Sequence, residues 1–463
     1  MMSPLVFSQY YLDCLSQASY LVGDTSSGRA VVVDPRRDIN EYLTDAAAAG
    51  LAIELIIETH FHADFLSGHL ELAAVTGAEI AYSSVAQTEF VSRPLGDGEV
   101  IRLGQVELEI MHTPGHTPES LSIVVRERSD AEPHAVLTGD TLFVGDVGRP
   151  DLLASSGVTQ EELAADLYDS LHNKLLSLPD ATLVYPAHGA GSSCGKNLSS
   201  ETWSTLGEQR TTNAALLAPT KRAFIELVTE GQPPPPAYFP INAVLNKQHR
   251  QLLEEAAIPP ACSLADVQEL VAQGALVLDG RDPEVFARGH LIGSINVGLL
   301  GRYAEFVGSV VSADVDIVLV VDDGDEREAK NRLGRIGFDN VVGYLDRPLE
   351  AMVAHPGLVQ RGSRLTATHF DAQRGDGSGL QLIDVRNPSE VAAGGVPGAI
   401  EIPVGQLPDR LDELDSAAPT VVYCAGGYRS SVAASVLRQA GFEDVSDIIG
   451  GYAAWSAVQT SPA

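Results

Sequence analysis

Two histidines separated by one residue, His60 and His62, follow an apolar run at residues 55–57 that predicts a buried strand. An aspartate, Asp64, comes two residues later. Imidazole and carboxylate groups together at the end of a strand are suitable ligands for a divalent metal ion. A His-x-His pair alone is a weak indication, because two unrelated loop histidines explain it as well.

Three further residues strengthen the metal interpretation: His116, Asp140 and His188. Each comes just after a short apolar run that predicts a strand, at residues 108–111, 135–137 and 183–185. Four strand ends would then each deliver a side chain that can bind metal. Chance placement of four unrelated loop residues is a much poorer explanation of this pattern.

This set of residues resembles the metallo-β-lactamase superfamily, whose fold is an αββα sandwich with its metal site along one edge of two packed sheets. The usual first motif of that superfamily is HxHxDH, and here it reads HFHADF, with Phe65 in the last position. In two-metal members the missing histidine holds the second ion, with residues that correspond to Asp64 and His188. Because phenylalanine cannot bind metal, the resemblance implies one metal ion rather than two.

The sequences ETHFHADFLSGH, TPGHTPES and TGDTLFVGDVGRPDL resemble the persulfide (sulfur) dioxygenase branch of this superfamily. That resemblance implies one iron(II) ion per chain, held by His60, His116 and Asp140. Two histidines and one carboxylate leave open positions for substrate and dioxygen. His62 would then support the site or be an alternative ligand, and a zinc site of His60, His62 and His116 stays open.

The composition limits the class and the partners of the protein. A length of 463 residues predicts about three domains. The net charge of −32 argues against binding to nucleic acid or to anionic membranes, which requires a basic face. No signal peptide or membrane span is recognisable, and the four cysteines form no CxxC motif or disulfide framework. We therefore expect a cytoplasmic protein, and the sequence leaves a homo-oligomer open.

A repeat dominates the second half of the chain. The stretches that begin at Leu276 and Leu382 match each other, with Asp279 and Asp384 in equivalent positions. Two copies of an alternating strand–helix unit predict two doubly wound parallel-sheet domains. The pattern D-x-R-x-P-x-E followed by PGA-x-x-IP, specific in the second copy, resembles the rhodanese family of sulfurtransferases.

The predicted fold class is therefore α/β and multidomain. Residues 1–255 would form the metallo-β-lactamase-like dioxygenase domain. A rhodanese-like domain without a catalytic cysteine would follow at 256–360, and a rhodanese domain with Cys424 at 361–463.

The second copy contains VVYCAGGYRSS, in which a strand leads into Cys424 and Arg429 opens a helix. Backbone N–H groups at a helix N-terminus favour an anion, and hence a thiolate. Cys424 is therefore predicted to carry sulfur as a persulfide, with Arg429 as the second catalytic residue. Cysteine phosphatases use a related loop and are the rival interpretation, but the short loop ending at Arg429 favours sulfur over the larger phosphate.

The first copy has Asp322 where the second has Cys424, while Gly324 and Arg327 match Gly426 and Arg429. A carboxylate cannot accept sulfur as a persulfide. We therefore predict that the first copy is catalytically inactive.

Three further residues belong to the predicted metal edge. Cys194 lies six residues beyond His188, so it could relay sulfur or be a loop cysteine without a role, and both interpretations stay open. Arg149 and Asp151, in the GRPD sequence, are predicted to pair and to support the loop after Asp140.

The resemblance implies an enzyme that oxidises a low-molecular-weight persulfide with O2 to sulfite. Cys424 would then transfer sulfane sulfur between persulfide, sulfite and thiosulfate, as in sulfide detoxification. Dioxygenases of this branch that use glutathione carry a tyrosine and a basic residue at the positions of Ala190 and Ala215, which argues against glutathione persulfide here. Two alternatives are a zinc-dependent thioester or lactone hydrolase fused to a sulfurtransferase, and a non-catalytic persulfide-sensing protein.

Overall fold

The computed structural model describes residues 3–152, 157–232, 234–374 and 379–460. The chain divides into two compact units, Met1–Glu255 and Ala256–Ala463. Across the described ranges, no helix combines the length and the apolar character that a membrane crossing requires.

Two six-stranded sheets form the centre of the first unit. The first sheet follows the chain order, with strands β1 Leu5–Leu12, β2 Gln17–Asp24, β3 Arg29–Val33, β4 Ala52–Ile57, β5 Glu79–Ser83 and β6 Arg93–Leu95. β1 to β3 pair antiparallel, and β3 to β6 pair parallel. The second sheet also follows the chain order, with strands β7 Val100–Arg102, β8 Glu107–His112, β9 Leu121–Arg126, β10 Ala135–Gly139, β11 Leu183–Pro186 and β12 Ser204–Thr205. Its pairs are antiparallel except β10 with β11.

The helices of this unit are α1 Asn40–Ala48, α2 His69–Thr76, α3 Gln160–Asn173, α4 Leu206–Thr212, α5 Lys221–Thr229 and α6 Phe239–Leu245, with a 3-10 turn at Leu175–Ser177. Strand residues alternate between two cores. Val31 and Val33 of β3 belong to the core between the sheets, whereas Val32 belongs to the core shared with α1 and α2. Val136 of β10 and Leu167 of α3 share a core on the other side.

These three cores define four layers, helix–sheet–sheet–helix. Continuous apolar runs such as 31–33 and 55–57 follow from this arrangement, because both faces of each central strand are covered. Burying one Val or Ile side chain in such a core contributes about 1.5–3 kcal/mol. The predicted αββα architecture is confirmed.

Three of the candidate ligands, and the carboxylate of Asp34 beside them, follow the carboxyl ends of four strands. Asp34 follows β3, His60 comes shortly after β4, Asp140 follows β10, and His188 comes shortly after β11. Because β3 and β4 run parallel, and β10 and β11 do so as well, each pair of strand ends lies at one edge of its sheet. The layered packing of the two sheets brings these edges together.

The second unit contains two five-stranded parallel sheets of the same topology. The first copy has the strand order β13-β18-β17-β14-β16, and the second has β20-β24-β23-β21-β22. The strands of the first copy are β13 Ala261–Cys262, β14 Leu276–Asp279, β16 Ile295–Asn296, β17 Ile317–Val320 and β18 Val341–Leu345. Those of the second are β20 Ser363–Leu365, β21 Gln381–Asp384, β22 Ile400–Glu401, β23 Thr420–Tyr423 and β24 Val445–Ile448. The equal strand order confirms that the repeat is structural.

The helices of this unit are α7 Leu264–Ala272, α8 Pro283–Arg288, α9 Tyr303–Val310, α10 Glu326–Gly334, α11 Pro348–Ala354, α12 Ala367–Arg374, α13 Pro388–Ala392, α14 Tyr428–Gln439 and α15 Gly451–Thr460. Short 3-10 turns lie at Pro356–Leu358, Val404–Asp409 and Leu411–Glu413. A two-stranded antiparallel pair joins β15, His290–Leu291, to β19, Val359–Gln360. The predicted boundary between residues 360 and 361 falls between β19 and β20.

Candidate metal centre and sulfur-transfer loop

A chain of hydrogen bonds from Asp34 orients His60. The Asp34 carboxylate accepts the Thr59 N–H at 2.7 Å and the Thr59 hydroxyl at 2.8 Å. The Thr59 oxygen lies 3.0 Å from His60 Nδ1. Since the hydroxyl proton already goes to Asp34, His60 Nδ1 donates to Thr59, and the lone pair of His60 is on Nε2.

His116 is oriented by a backbone carbonyl. Its Nδ1 lies 2.8 Å from the oxygen of Arg149, which can only accept, so Nδ1 carries the proton and Nε2 the lone pair. Gly115 makes this loop possible: its φ is +144°, and a Cβ there would lie 2.3 Å from the Cα of Leu167 in α3.

Asp140 completes the group. Its Oδ2 lies 3.4 Å from Nε2 of His116 and 3.9 Å from Nε2 of His60. Both of its carboxylate oxygens are buried, and neither accepts a hydrogen bond within the described part of the chain. Gly139, at φ +51°, allows the end of β10 to approach Thr59, because a Cβ would lie 2.7 Å from the threonine oxygen.

His60, His116 and Asp140 thus form a buried group whose ligand atoms lie within 4.8 Å of one another. Burial lowers the pKa of His60 well below its ordinary value, and the neighbouring imidazoles lower it further. A neutral imidazole is the form that binds metal. The donor set, with two fixed Nε2 lone pairs and an unsatisfied carboxylate, fits a divalent cation.

His62 belongs to different surroundings. Its Nε2 lies 3.1 Å from Asp34 Oδ1 and 3.5 Å from Glu58 Oε2, and its ring centroid is 4.3 Å from that of Phe65. Burial lowers the pKa of His62, but Asp34, Glu58 and Asp64 raise it to about 9. His62 belongs to two groups of side chains that could bind a metal ion. One group contains Asp64 and His188, and the other contains Asp34 and Glu58.

The alternative zinc set of His60, His62 and His116 is not among the metal-capable groups of residues 3–152, 157–232, 234–374 and 379–460. His60 and His116 group with Asp140 instead, whereas Nε2 of His62 lies against the carboxylate of Asp34.

The loop after β11 brings Cys194 to the metal edge. Cys194 is 1% exposed and forms a metal-capable group with Asp140 and His188. Burial, and then the charges of Asp64 and Asp140, raise the pKa of its thiol well above the ordinary value. A sulfur relay needs a thiolate, so these surroundings disfavour that role for the thiol as it stands.

Arg149 holds this loop against the one that carries His116. The guanidinium of Arg149 makes two hydrogen bonds of 2.7 Å to Asp151, and the backbone N–H of Arg149 donates to the carbonyl of Cys194 at 3.1 Å. Its own carbonyl accepts from His116. The pair predicted from the GRPD sequence therefore supports a ligand through the backbone of Arg149.

Two residues that position the ligands were not recognised in the sequence, Asp34 and Ser16. Asp34 holds the loop of His60 and His62, and the carbonyl of Ser16 lies 3.1 Å from His188 Nδ1. Asp34 does follow the apolar run 31–33, which is the same signal as for the recognised ligands. A backbone carbonyl such as that of Ser16 has no sequence signal.

The loop predicted to transfer sulfur, called here the sulfur-transfer loop, follows β23. Cys424 is 1% exposed, and its Sγ accepts the N–H of Gly427 at 3.1 Å. Arg429 makes two hydrogen bonds to Glu390, at 2.6 and 2.7 Å. Gly427 precedes α14 with φ +102°, and this left-handed turn directs its N–H towards the sulfur. The loop thus places a donor on the sulfur of Cys424.

The corresponding loop of the first copy differs in exposure and in chemistry. Asp322 is exposed, whereas Cys424 is buried. Three other acidic residues follow Asp322 in the sequence, Asp323, Asp325 and Glu326. Neither a sulfur nucleophile nor an enclosed anion site is present at Asp322.

The first copy nevertheless contacts the sulfur-transfer loop of the second. The hydroxyl of Tyr428, between Cys424 and Arg429 in the sequence, donates to the carbonyl of Gly298 at 2.7 Å. The Tyr428 ring lies 5.5 Å from that of Phe306, measured between centroids. A Cβ at Gly301 would lie 2.3 Å from the same ring, so the glycine makes room for it.

Asp34→Asn is expected to weaken binding of a divalent metal ion by about 10- to 100-fold, because an amide oxygen cannot accept all the donors that the carboxylate accepts. Metal affinity would be measured by competition with a chelator under anaerobic conditions. The matched control is Asp24→Asn. The Asp24 carboxylate is also buried and accepts the N–H groups of Ser26 and Val106, but it lies at the end of the β2–β3 pair that is remote from Asp34. Equal affinity in the wild type and in Asp34→Asn would contradict the positioning role.

Tyr428→Phe is expected to slow sulfur transfer from Cys424 about fivefold, which corresponds to the loss of a hydrogen bond of ~1 kcal/mol. The pH profile of Cys424 alkylation should change with it, since the loop that surrounds the sulfur loses an anchor. Tyr303→Phe is the matched control, because the hydroxyl of Tyr303 is buried without a hydrogen-bond partner in the residues that the structure describes. If both variants behave alike, Tyr428 is only a packing residue.

Comparison with known proteins agrees with this architecture. The family described as "Metallo-beta-lactamase superfamily" matches residues 12–188, and the "Rhodanese-like domain" family matches residues 263–355 and 366–458. A metallo-β-lactamase structure from Staphylococcus aureus subsp. aureus COL is similar with a TM-score of 0.67 and 33% identity, covering 73% of this chain and 98% of that one.

Two curated relatives differ in the activity that their names give. "Persulfide dioxygenase ETHE1, mitochondrial" of Mus musculus is 30% identical over 248 residues, which are 53% of this chain and 88% of that protein. A hydroxyacylglutathione hydrolase of Polaromonas sp. is 34% identical over 173 residues, 37% of this chain and 61% of that protein. The chain belongs to the metallo-β-lactamase superfamily, in the family of the persulfide dioxygenase relatives, with two rhodanese-like domains after that fold.

Proposed function

We propose that this protein is an iron-dependent persulfide dioxygenase with a second, rhodanese-type sulfurtransferase activity. The observation that carries the proposal is the buried group of His60, His116 and Asp140, with each imidazole fixed through Nδ1 and the carboxylate free of hydrogen bonds among the described residues. Two histidines and one carboxylate are the ligand set of non-haem iron(II) oxygenases.

The overall reaction would be R–S–SH + O2 + H2O → R–SH + H2SO3, with R–SH a low-molecular-weight thiol. Bound to this set, one iron(II) ion per chain would supply the redox chemistry by which O2 reacts with the outer sulfur. The protein's own residues hold the ligands still. The contacts of Nδ1 with Thr59 and with the carbonyl of Arg149 leave the Nε2 lone pairs of His60 and His116 on the side of Asp140, which supplies the negative charge.

The sulfurtransferase reaction would occur in two steps at Cys424. The Cys424 thiolate attacks the outer sulfur of R–S–SH, the S–S bond breaks, and R–SH leaves with the proton. Sulfite then attacks the outer sulfur of the Cys424 persulfide, which forms thiosulfate and restores the thiolate. The N–H of Gly427 stabilises negative charge on Cys424 Sγ, and Arg429, held by Glu390, brings a positive charge to the loop.

The proposed substrate class rests on two sequence positions. Ala190 and Ala215 stand where a tyrosine and a basic residue were expected for glutathione, and Ala215 is buried. We therefore propose a low-molecular-weight persulfide other than that of glutathione.

A zinc-dependent thioester hydrolase is the alternative that the Polaromonas relative suggests. That chemistry in its two-metal form would use a histidine at position 65, and Phe65 takes that place with its ring against His62. Iron content and O2 uptake separate the two activities.

Asp140→Ala is expected to abolish iron binding and persulfide-dependent O2 uptake together, because it removes the only carboxylate of the proposed iron site. Iron would be measured by elemental analysis after anaerobic purification, and O2 by electrode. Asp169→Ala, which removes an exposed ion pair with Lys221, is the control and should match the wild type. Full turnover of persulfide by the zinc-loaded, iron-free protein would overturn the dioxygenase proposal.

Cys424→Ser is expected to consume O2 at the wild-type initial rate but to release sulfite, whereas the wild type should release thiosulfate. The reason is that tethering the two activities raises the effective concentration of the Cys424 persulfide near newly formed sulfite. Products would be separated by chromatography after thiol trapping, with Cys262→Ser as the matched cysteine control.

His60→Ala should show the opposite behaviour, with no O2 uptake but thiosulfate formation when sulfite is added with persulfide. Mixtures of sulfite and persulfide without protein measure the uncatalysed reaction. Thiosulfate as the main product of Cys424→Ser, above that background, would contradict the coupling.

A further inference from the structure

The first unit ends in a segment, residues 246–255, that contacts the loop between β4 and α2 at residues 58–68. The segment is called here the clamp segment, and the loop, which carries His60, is called the ligand loop. Every residue of the ligand loop is buried, and none of them belongs to a helix or a strand. The backbone N–H and C=O groups of such a loop need hydrogen-bond partners from elsewhere in the protein.

Asn246, the first residue of the clamp segment, supplies three of these partners. Its side chain is buried, with 1% of the residue exposed. Its Nδ2 donates to the carbonyls of His62 and Phe65, both at 2.8 Å, and its Oδ1 accepts the N–H of Ser67 at 2.9 Å. A carboxamide has two N–H donors and one acceptor oxygen, so the side chain of Asn246 matches the three groups of the ligand loop.

Arg250 makes the second contact of the clamp segment. Its guanidinium donates to the carbonyl of Ser67 and makes hydrogen bonds of 2.6 and 3.0 Å to the two carboxylate oxygens of Glu71, in the first turn of α2. Glu71 also accepts from Arg37 at 2.8 Å and from the N–H of Leu253 at 3.1 Å. Burial raises the pKa of Glu71, but Arg250 and Arg37 lower it to about 2, so Glu71 is a carboxylate at neutral pH.

The contact of Asn246 with the ligand loop continues to a proposed metal ligand. Asn246 binds the carbonyl of His62, and Nε2 of His62 lies 3.1 Å from Asp34 Oδ1. Asp34 accepts the N–H and the hydroxyl of Thr59, and the Thr59 oxygen lies 3.0 Å from Nδ1 of His60. A shift of the backbone at His62 would therefore disturb the contacts that orient His60.

We propose that Asn246 is a positioning residue of the metal centre, and that the clamp segment holds the ligand loop in the conformation that binds metal. Asn246 and His62 are 184 residues apart in the sequence. The end of the first unit would thus be part of the metal centre although it supplies no ligand. The inference rests on the metal centre of the proposed function and not on its reaction, so a measurement of metal binding separates the two.

Asn246→Leu, made in the intact chain, keeps a side chain of similar volume but removes all three hydrogen bonds. Metal-free protein would be titrated anaerobically with Co2+ in competition with a chelator. Binding at least about tenfold weaker than in the wild type is expected, the usual effect of removing a group that orients metal ligands. The visible absorption of bound Co2+, which reports the geometry of its ligands, should change as well. Wild-type affinity together with wild-type absorption would overturn the proposal.

Asn296→Leu is the matched control. Asn296 is also buried, and its Nδ2 donates to two backbone carbonyls, those of Asp279 and Arg281, both at 2.9 Å, but it lies in the second unit. This variant should unfold at a lower temperature yet keep the Co2+ affinity and absorption of the wild type. An equal loss of affinity in Asn296→Leu would assign the effect to lower overall stability and would contradict a positioning role.

Arg250→Lys tests the clamp segment at its second contact, and it decides if the first variant does not fold. Lysine keeps a positive charge beside Glu71 but cannot bind Ser67 and both carboxylate oxygens in the geometry of a guanidinium. Co2+ binding is expected to be about fivefold weaker, the effect of losing about one hydrogen bond. Arg364→Lys, which alters a similar two-pronged ion pair in the second rhodanese copy, is the control. Equal Co2+ affinities of the two lysine variants would overturn the role of the clamp segment.

Discussion

The carboxylate of Asp140 is buried and accepts no hydrogen bond from the residues that the structure describes, and the surrounding architecture is arranged to compensate for this. An unpaired carboxylate in a protein interior costs several kcal/mol unless a cation or hydrogen bonds stabilise it. Three histidines, from the loops after β4, β8 and β11, direct Nε2 towards Asp140. Metal binding and the stability of this edge are therefore linked.

The ligands are oriented by backbone and side-chain acceptors before any metal binds. Of the three described non-glycine residues with positive φ, two belong to this support: Asp34 at +50° and Ser16 at +52°. Asp34 holds the loop of His60, and the carbonyl of Ser16 holds His188. A left-handed conformation at a non-glycine residue costs about 1–3 kcal/mol, so strain is concentrated where ligand orientation requires it.

Apolar runs and strand-end positions in the sequence predicted the central strands and the residues now found at the metal edge. The resemblance to the metallo-β-lactamase superfamily implied the αββα sandwich, and the two matched stretches predicted the repeat. These signals are local, because a run such as 31–33 or 55–57 records burial on both faces of its own strand. The supporting contacts could not be predicted in the same way. The carbonyls of Arg149 and Ser16 act through backbone atoms that any residue could supply.

The sequence also does not indicate which residues that are far apart in the chain lie close together in the fold. Cys194 was expected near the metal edge from its distance to His188, but nothing in the sequence indicated that it groups with Asp140. The contact of Tyr428 with Gly298 joins positions 130 residues apart. Such contacts depend on how two sheets or two copies pack together, which periodicity within one element does not report.

The hydrogen bond from Tyr428 to Gly298 makes the second rhodanese-like domain structurally dependent on the first. Gly298 contributes a carbonyl and Gly301 contributes space, so the first copy serves the second through backbone geometry. This support comes from the chain at Gly298 and Gly301 and does not involve Asp322. The second copy is consequently not a self-contained module, because a gene fragment that encodes only residues 361–463 would lack the surface that anchors the loop of Cys424.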